Sequence, residues 1–398
     1  MSIRDSVVSY IDAVGHEYQQ IAREIHAKPE LSNYEFFACE RLSSQLRNKG
    51  FEVKVDVGGH RTGFTAVYKS GKPGPVVAYL AEYDALAGLG HGCGHNLFGA
   101  TSSLAGDALK QVIDQAGGEV RVYGAPGEEG GENGAAKANY VREGFFKDVD
   151  AALCVHPGAD EHGTTTDALA IDCVYIEFWG KSAHAAGSPE LGINALDALI
   201  LTYNGINALR QHVTPDVRMH GVITNGGKAP NSVPDYAKAN FYLRAAKSAT
   251  LDEVYAKVER IVEGAALMTG AKGKIERYQP RCEDMIKTPS LDALYKKNLE
   301  LLGETVSPPP DKPGGFGSTD VGNVSHVVPT IHPHIRITDR PVPGHSVEMM
   351  EASCSESGLA SILLGAKVLA FVALDLIEDP ALMASIKEEH ARAAGLIN

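Results

Sequence analysis

Residues 80–96 read LAEYDALAGLGHGCGHN, and the apolar run Pro75–Leu80 leads directly into them. Two acids come first, Glu82 and Asp84. After a glycine-rich turn, His91, Cys93 and His95 follow at alternate positions with a glycine between each pair. A soft sulfur and two imidazoles this close together, beside carboxylates, form a transition-metal donor set. The glycines free the backbone to bend, so that bulky ligands can converge on one point. A short apolar strand that ends in this turn and continues into a helical pattern at Asn96–Ile113 indicates an α/β domain. In such domains ligands sit at the carboxyl ends of the strands.

Outward from this stretch, the same logic finds three more clusters. The apolar strand Val120–Tyr123 delivers Ala125-Pro126-Gly127-Glu128-Glu129-Gly130-Gly131, two adjacent acids flanked by glycines. One such acid can ligate a metal while its neighbour accepts a proton from water; an acidic surface turn is the competing reading. The run Ala151–Val155 delivers His156, with Cys154 reading as a buried thiol. Val342–Glu348 places His345 in a loop before a helix. His332 and His334 alternate on one strand face nearby and are either additional site residues or a false lead.

The remaining pattern completes the architecture. An amphipathic N-terminal helix breaks at Pro29, and Ser32 or Asn33 caps a second helix carrying Phe36, Leu42 and Leu46. Phe51–Val57 and Phe64–Tyr68 read as strands. From Ile171 the texture changes to a strand (171–178), a helix (191–211), strands at 220–224 and 237–245, a helix at 250–268 and a strand at 273–277. This reads as a small α+β domain inserted into the first. The expected division is 1–171 with 286–398 as a catalytic α/β domain with a central, mostly parallel sheet, and 172–285 as the insert. A helical segment from Ser290, a strand at 327–331 and a long helix at 351–374 return the chain to the first domain. Pro308–Gly317 reads as a mobile Pro/Gly-rich loop.

Composition narrows the function. With 398 residues and a net charge of −13, the chain has no broad basic face for nucleic acid or an anionic membrane. A few local cations still suffice for an anionic substrate. The six cysteines are scattered, unlike a disulfide framework, which fits a reduced, cytoplasmic setting. The N-terminus shows no secretory apolar core, and no run of about 18 apolar residues predicts a membrane span.

Seven segments, in order, carry a family resemblance: GHGCGHN (90–96), PGEEGG (126–131), VHPG (155–158), GKSAHAAGSPELGINALDA (180–198), NGGKAPNSVPDYAKANFYLR (225–244), GSTDVGN (317–323) and PGHS (343–346). Together they resemble the M20 metallopeptidases. The similarity is strongest to the amidohydrolase branch of aminoacylase-like enzymes, p-aminobenzoyl-glutamate hydrolases and Xaa-Arg dipeptidases. The resemblance implies a catalytic domain holding two divalent ions, zinc or manganese with cobalt as an alternative, and an inserted lid through which the chain forms a homodimer. Matched position by position, it implies Cys93, His95, Glu129, His156 and His345 as metal ligands, with Cys93 bridging, and Glu128 as the catalytic base. His184 matches a lid histidine that reaches the scissile carbonyl, usually from the partner subunit. Asn231 and Arg244 match residues that hold the substrate carbonyl or carboxylate. Glu82 or Asp84 orients a ligand histidine, and His91 has a supporting role. The implied activity is hydrolysis of the amide bond in a small carboxylate-bearing substrate, such as a dipeptide, N-acyl amino acid or aryl-glutamate, by a water activated between the two metals.

Two positions depart from the branch's commoner pattern: Asn96 stands where Asp is frequent, and the lid segment KSAHAAGSPE lacks a second histidine. Two rival functions remain at this level. One is a catalytically inactive binding or regulatory subunit of the same fold. The other is a scaffold with a closed zinc site, which would hold four protein ligands and no base. Individual residues have plainer alternatives: Asn231 as a turn residue before Pro234, Arg244 as a surface ion pair, and Asp320 as the cap of a helix starting at Val321.

Overall fold

The computed structural model describes residues 2–308 and 317–397, so positions 309–316 of the Pro/Gly-rich stretch lie outside the described residues. The chain forms two compact units: one over 2–167, 285–308 and 320–397, the other over 168–284 with 317–319.

The larger unit opens with helix α1 (Ile3–Ala27), whose start is fixed by a capping box. The Ser2 hydroxyl accepts from the Asp5 N–H, and the Asp5 carboxylate accepts from the Ser2 N–H. Its buried stripe, Val7, Ile11, Tyr18, Ala22 and Ile25, follows helical spacing. Then come α2 (Phe36–Asn48), β1 (Glu52–Val57), β2 (His60–Lys69), β3 (Val76–Ala81), α3 (His95–Ala116), β4 (Glu119–Gly124), α4 (Ala136–Arg142), β5 (Ala151–Leu153) and β6 (His156–Gly158). α2 starts differently from the sequence reading. Neither Ser32 nor Asn33 caps it; the Glu30 carboxylate accepts the Phe37 and Ala38 N–H groups instead. Asn33 is drawn away to the carbonyls of Glu132 and Asn133 and to the His60 ring.

The smaller unit contains β7 (Ala170–Trp179), α5 (Ala195–Leu209), β8 (Arg218–Asn225), β9 (Tyr236–Ala245), α6 (Ser248–Thr269) and β10 (Lys272–Arg277). Its sheet has the order β10-β7-β9-β8 and is antiparallel throughout. Along β9 the burial alternates strictly. Ala237, Ala239, Phe241, Leu243 and Ala245 pack into a core with residues of α5 and α6, while Lys238, Asn240, Tyr242 and Arg244 take the opposite face. α5 begins at Ala195, later than the pattern suggests. The Asn194 side chain caps it by accepting from Leu196 and Asp197 N–H, and Pro189–Leu191 form a separate 3₁₀ turn.

The chain returns to the larger unit as α7 (Pro289–Leu301), α8 (Val321–Ser325), β11 (Thr330–Ile331), β12 (His334–Arg336), α9 (Val347–Ala352), α10 (Glu356–Glu378) and α11 (Pro380–Ala393). The strand anticipated at 327–331 shrinks to two residues. The long helix anticipated at 351–374 splits, because the Ser355 hydroxyl caps a new start at Glu356. Among the described residues α10 alone is long and apolar enough to cross a membrane. The burial of 72% of its most apolar window, with α10 packed on α3 and α1, makes it a core helix here.

The larger unit's sheet has the order β1-β2-β4-β3-β5-β11. β4, β3, β5 and β11 run parallel, and β1 and β2 form an antiparallel edge. β3 is buried at almost every position, as a central strand covered on both faces must be. The consequence for function is topological: β4, β3 and β5 are neighbours and point the same way, so the segments that leave their carboxyl ends meet.

One charged cluster anchors the smaller unit. The fully buried Asp172 carboxylate accepts from Arg277 and from Arg281, the latter at 2.7 Å from Nη2 to Oδ2. Burial alone would raise the Asp172 pKa, but the two guanidinium groups outweigh it and hold the carboxyl below its ordinary range. Replacing Asp172 with Asn should destabilise the protein at neutral pH by about 2–3 kcal/mol. That is below the ~3–5 kcal/mol of a fully enclosed pair, because Arg277 keeps some solvent contact. Since the folded pKa is depressed, this contribution is complete above the unfolded carboxylate value of about 3.9 and is lost as pH falls through the folded one. Urea unfolding of both forms across pH 7 to 2 should show the difference shrinking toward zero at the acid end.

Candidate metal centre

Three strand ends build the site. β3 ends into Glu82, Tyr83 and Asp84; β4 ends into the loop 125–131; β5 ends into Cys154, Val155 and His156. His95 is the first residue of α3, so its ring is fixed by the helix start. Gly94 before it has φ +79°, and a Cβ there would lie 2.8 Å from the Pro157 side chain. Only glycine allows this turn to sit so close to the loop carrying His156. On the next turn of α3, a Cβ at Gly99 would approach the Glu82 carbonyl to 2.6 Å, so glycine also lets the helix rest on the strand end.

Potential ligand atoms gather in three sets, each lying within 4.8 Å of one another: Cys93, His95 and His156; Cys93, Glu129 and His345; and Glu82, His95 and Glu128. Cys93 belongs to the first two, so its sulfur stands between two three-residue groups. The Cys93 Sγ lies 3.4 Å from His156 Nε2, and His345 Nε2 lies 3.6 Å from Glu129 Oε2. His345 is the exposed member and has φ +56°, unusual for a residue with a side chain. Its backbone N–H donates to the Gly92 carbonyl at 3.1 Å, which ties this distant loop to the ligand turn.

The hydrogen bonds set which ring atoms face inward. Asp84 Oδ1 accepts from His95 Nδ1 at 2.9 Å, and His156 Nδ1 donates to the Pro157 carbonyl at 2.8 Å. Both rings therefore turn Nε2 toward the cluster, the arrangement of a ligand histidine held by an outer partner. Asp84 does more than the sequence suggested. Its second oxygen accepts the Glu129 backbone N–H at 2.9 Å, so one carboxylate fixes a residue in each three-residue group.

Electrostatics fit a cation. His95 Nε2 and Glu129 Oε1 are buried with no hydrogen-bond partner. Burial, reinforced by His332 and His334, pushes His156 well below the usual histidine range, so it is a neutral donor. Burial pushes the Cys93 thiol up to about 12, so its thiolate form requires a cation beside it. Burial and the nearby Glu82 and Glu129 raise Glu128 well above an ordinary carboxylate, a buildup of negative charge that bound cations relieve. Asp84 goes the other way: burial would raise it, but the His95 and Glu129 hydrogen bonds hold it low. The soft sulfur, imidazoles and carboxylates suit a pair of divalent transition ions.

Other residues fall into place individually. His91 is buried and stacks on His26 at 6.0 Å; it is in none of the three ligand sets. Its backbone carbonyl takes the Ser353 hydroxyl, so it supports the turn. Asn96 is buried and donates to the Ser353 carbonyl at 2.9 Å, a packing role that uses the amide group and would not suit a carboxylate. His332 and His334 ring the outside of His156 at 5.4 and 5.6 Å between centroids. The cap reading of Asp320 is overturned. Its side chain makes no bond to the start of α8 and is spent on Lys137, a residue that sequence reading passed over. Glu35 was also passed over. Fully buried, it accepts the Gly127 N–H at 3.0 Å and the Thr62 hydroxyl at 2.8 Å, pinning the acidic loop. No local motif marks either residue, because their partners are far away in sequence.

In the smaller unit, the segments around His184 and Asn231 pair: Ala185 N–H donates to the Asn231 carbonyl and Val233 N–H to the Ala183 carbonyl. The exposed His184 accepts the Ala186 and Gly187 N–H groups on Nδ1, so its neutral ring carries the proton on Nε2. Arg244 lies near the other end of β9, which spans about 25 Å between Tyr236 and Arg244 at the usual strand rise. Its Nη1 donates to Ser318 Oγ at 2.9 Å.

Comparison with known proteins follows this geometry. Residues 171–268 match the model of the peptidase dimerisation domain of M20 enzymes. The chain is 34% identical to the Xaa-Arg dipeptidase of Mus musculus, covering 95% of this chain and 90% of the relative. It is 40% identical to one of the p-aminobenzoyl-glutamate hydrolase polypeptides of Escherichia coli (strain K12) over 74% of this chain and 64% of that protein. In fold it is similar to a dinuclear metal-binding M20 peptidase from Bacillus subtilis (TM-score 0.63, 20% identity, 92% of this chain and 99% of that one). It is also similar to an aminobenzoyl-glutamate utilization protein from Klebsiella pneumoniae (TM-score 0.72, 20% identity, 92% and 97%).

The two-sided hold of Asp84 makes a test. Asp84→Asn keeps the volume but cannot accept both the His95 and the Glu129 hydrogen bonds. It should weaken divalent-ion binding about 10–100-fold, measured by competition of the purified protein with a chromophoric chelator.

Proposed function

The chain belongs to the M20 peptidase family, in its amidohydrolase and dipeptidase branch, and from that premise we propose that it hydrolyses the amide bond of a small carboxylate-bearing substrate, with Glu128 as general base and Cys93, His95, Glu129, His156 and His345 holding two divalent ions. One observation carries this reading: a single cysteine sulfur shared by two three-residue donor groups, with Glu128 beside them in a third group that shares His95. Relatives of this branch cleave Xaa-Arg dipeptides and p-aminobenzoyl-glutamate, to judge by their names; dipeptides, N-acyl amino acids and aryl-glutamates are therefore the substrate classes to test. Zinc or manganese suits the mixed donor set best, with cobalt as an alternative.

Bound at these residues, the ions would acidify a shared water and polarise the amide carbonyl. The chain's own groups account for the rest. Glu128 takes a proton from water and passes it to the leaving amine. The Nε2–H of His184 is free to donate to the oxygen on which negative charge develops, a type of contact whose loss costs about 10²–10³ in rate. Arg244, always charged and able to bind two oxygens at once, suits the substrate carboxylate, and Asn231 a substrate carbonyl.

His184 and Arg244 lie toward opposite ends of a ten-residue strand in one chain, too far apart for both to hold one small substrate. A homodimer through the smaller unit, in which each centre receives His184 from its partner, resolves this. Mixing provides the test. His184→Ala and Arg244→Ala homodimers should each be nearly inactive, and unfolding and reassembling them together should restore roughly a quarter of wild-type activity through hybrid dimers with one intact site. No recovery would refute the shared site.

Glu128→Gln should lower kcat by about 10²–10⁴ while two ions per chain stay bound by metal analysis. Unchanged turnover would remove Glu128 from its role. Fewer than one ion per wild-type chain, with no hydrolysis across the three substrate classes, would refute the function itself.

A further inference from the structure

The two peptide N–H groups that flank Glu128 both go to buried carboxyls. On its N-terminal side the Gly127 N–H donates to Glu35 Oε1 at 3.0 Å, and on its C-terminal side the Glu129 N–H donates to Asp84 Oδ2 at 2.9 Å. The Gly127 carbonyl is taken as well, by the Ala135 N–H at 2.7 Å. The backbone around Glu128 is therefore fixed from both directions, and a general base displaced by about 1 Å loses on the order of 10²-fold in rate. The two carboxyls differ in what else they hold. Asp84 also orients the His95 ring, so its loss would disturb the ligands themselves. Glu35 belongs to none of the three ligand sets and reaches the loop through its backbone.

Glu35 is costly where it sits. It has no exposed surface, and burial together with the like charge of Asp84 pushes its carboxyl up to about 8. It does not cap the helix it precedes, because Glu30 takes the Phe37 and Ala38 N–H groups. An apolar side chain would fill the space without that desolvation, but it could not accept the Gly127 N–H. A second hold comes from the same connection between α1 and α2. Asn33 Nδ2 donates to the Glu132 and Asn133 carbonyls at 3.1 and 2.9 Å. Its Oδ1 accepts from His60 Nδ1 at 2.7 Å, and His60 Nε2 in turn accepts from Asn139 at 2.8 Å, so the Asn33 amide is itself oriented. The loop needs such holding. Asn133 and Ala135 have φ of +53° and +58°, a left-handed conformation that a side chain disfavours and that persists only where the surroundings impose it.

We propose that the connection between α1 and α2 is a clasp that sets where Glu128 stands, with Glu35 and Asn33 as positioning residues that act through the backbone of the acidic loop. The inference rests on Glu128 being the general base, and one readout is chosen to be independent of turnover. Glu35→Met keeps the side-chain length and removes the acceptor. It should take up as many Zn²⁺ or Mn²⁺ ions per chain as the wild type, with kcat at least about tenfold lower and KM within about threefold. Hydrogen exchange over residues 125–135 should quicken by about tenfold. Glu35→Gln, whose amide oxygen can accept the Gly127 N–H and whose NH₂ can donate to the Thr62 hydroxyl, should return kcat to within about threefold of wild type. Asn33→Gly suits the φ of +63° and removes only the side chain. It should lower kcat and loosen the loop in the same sense, by a smaller factor.

A double variant separates positioning from general damage. In a Glu128→Gln background, Glu35→Met should cost no more than about twofold further, because no base is left to misplace. A second full loss there would overturn the proposal, since it would make Glu35 a merely structural residue. So would a Glu35→Gln variant no more active than Glu35→Met, which would assign the effect to charge rather than to the hydrogen bond. Wild-type kcat with unchanged exchange in Glu35→Met would do the same. If Glu35→Met does not fold, Asn33→Gly decides, and wild-type kcat and exchange in it overturn the clasp. Unchanged turnover in Glu128→Gln alone would fail the base assignment, not the hold on the loop, which the exchange rates test by themselves.

Discussion

The arrangement depends on one carboxylate. Asp84 leaves the central strand β3 with both oxygens committed, one to the His95 ring and one to the Glu129 backbone. His95 begins α3, and Glu129 sits in the loop after β4, so this one side chain ties a helix start to a strand-end loop. Two hydrogen bonds to a buried carboxylate outweigh its desolvation and keep it ionised, which makes it a fixed negative anchor for the positively charged contents the donor set calls for. If its orientation changed, both three-residue groups would move, because each owes one member to it.

Around that anchor the larger unit concentrates negative charge at a depth where charge is expensive. Glu35, Glu82, Asp84, Glu128 and Asp320 all lie close to the β3 and β4 ends, and their partners are specific: the Gly127 N–H and Thr62 for Glu35, Lys137 for Glu82 and Asp320, His95 and the Glu129 N–H for Asp84. Glu128 is held more loosely, His95 Nε2 standing 3.9 Å from its Oε2. In a low-dielectric setting an acid without a partner is either protonated or waiting for a ligand. That contrast between a loosely held carboxylate and its restrained neighbours is one that adjacent identical letters in a sequence cannot express.

Much of the fold was legible because it is local. Apolar runs ending at Leu80, Tyr123 and Val155 marked three of the four parallel strands. The alternation at 171–178 and 237–245 marked the antiparallel sheet of the smaller unit. Where the reading went astray, a long-range partner intervened. Glu30 took over the start of α2 from Ser32 and Asn33, because Asn33 was engaged by His60 and by the loop at 132–133. Asp320 left its helix for Lys137 for the same reason. A side chain that can cap locally will abandon the cap for a buried ammonium, since a charge-assisted bond away from water is the stronger interaction.

The sequence by itself determined the donor types and their delivery: a thiol and imidazoles spaced along glycines, paired acids and a histidine after apolar strands, and the seven ordered segments that identify the M20 family. Those depend on covalent neighbours and on the periodicity of strands and helices, which any reader of the chain can count. Only the tertiary structure decided that Cys93 belongs to two donor groups, that Asp84 serves both, that His91 turns away to stack on His26, that Lys137 reaches Glu82, and that Glu35 reaches the acidic loop at Gly127. Each of these is a contact between residues far apart along the chain, set by the order in which parallel strands lie side by side, and no local pattern encodes that order.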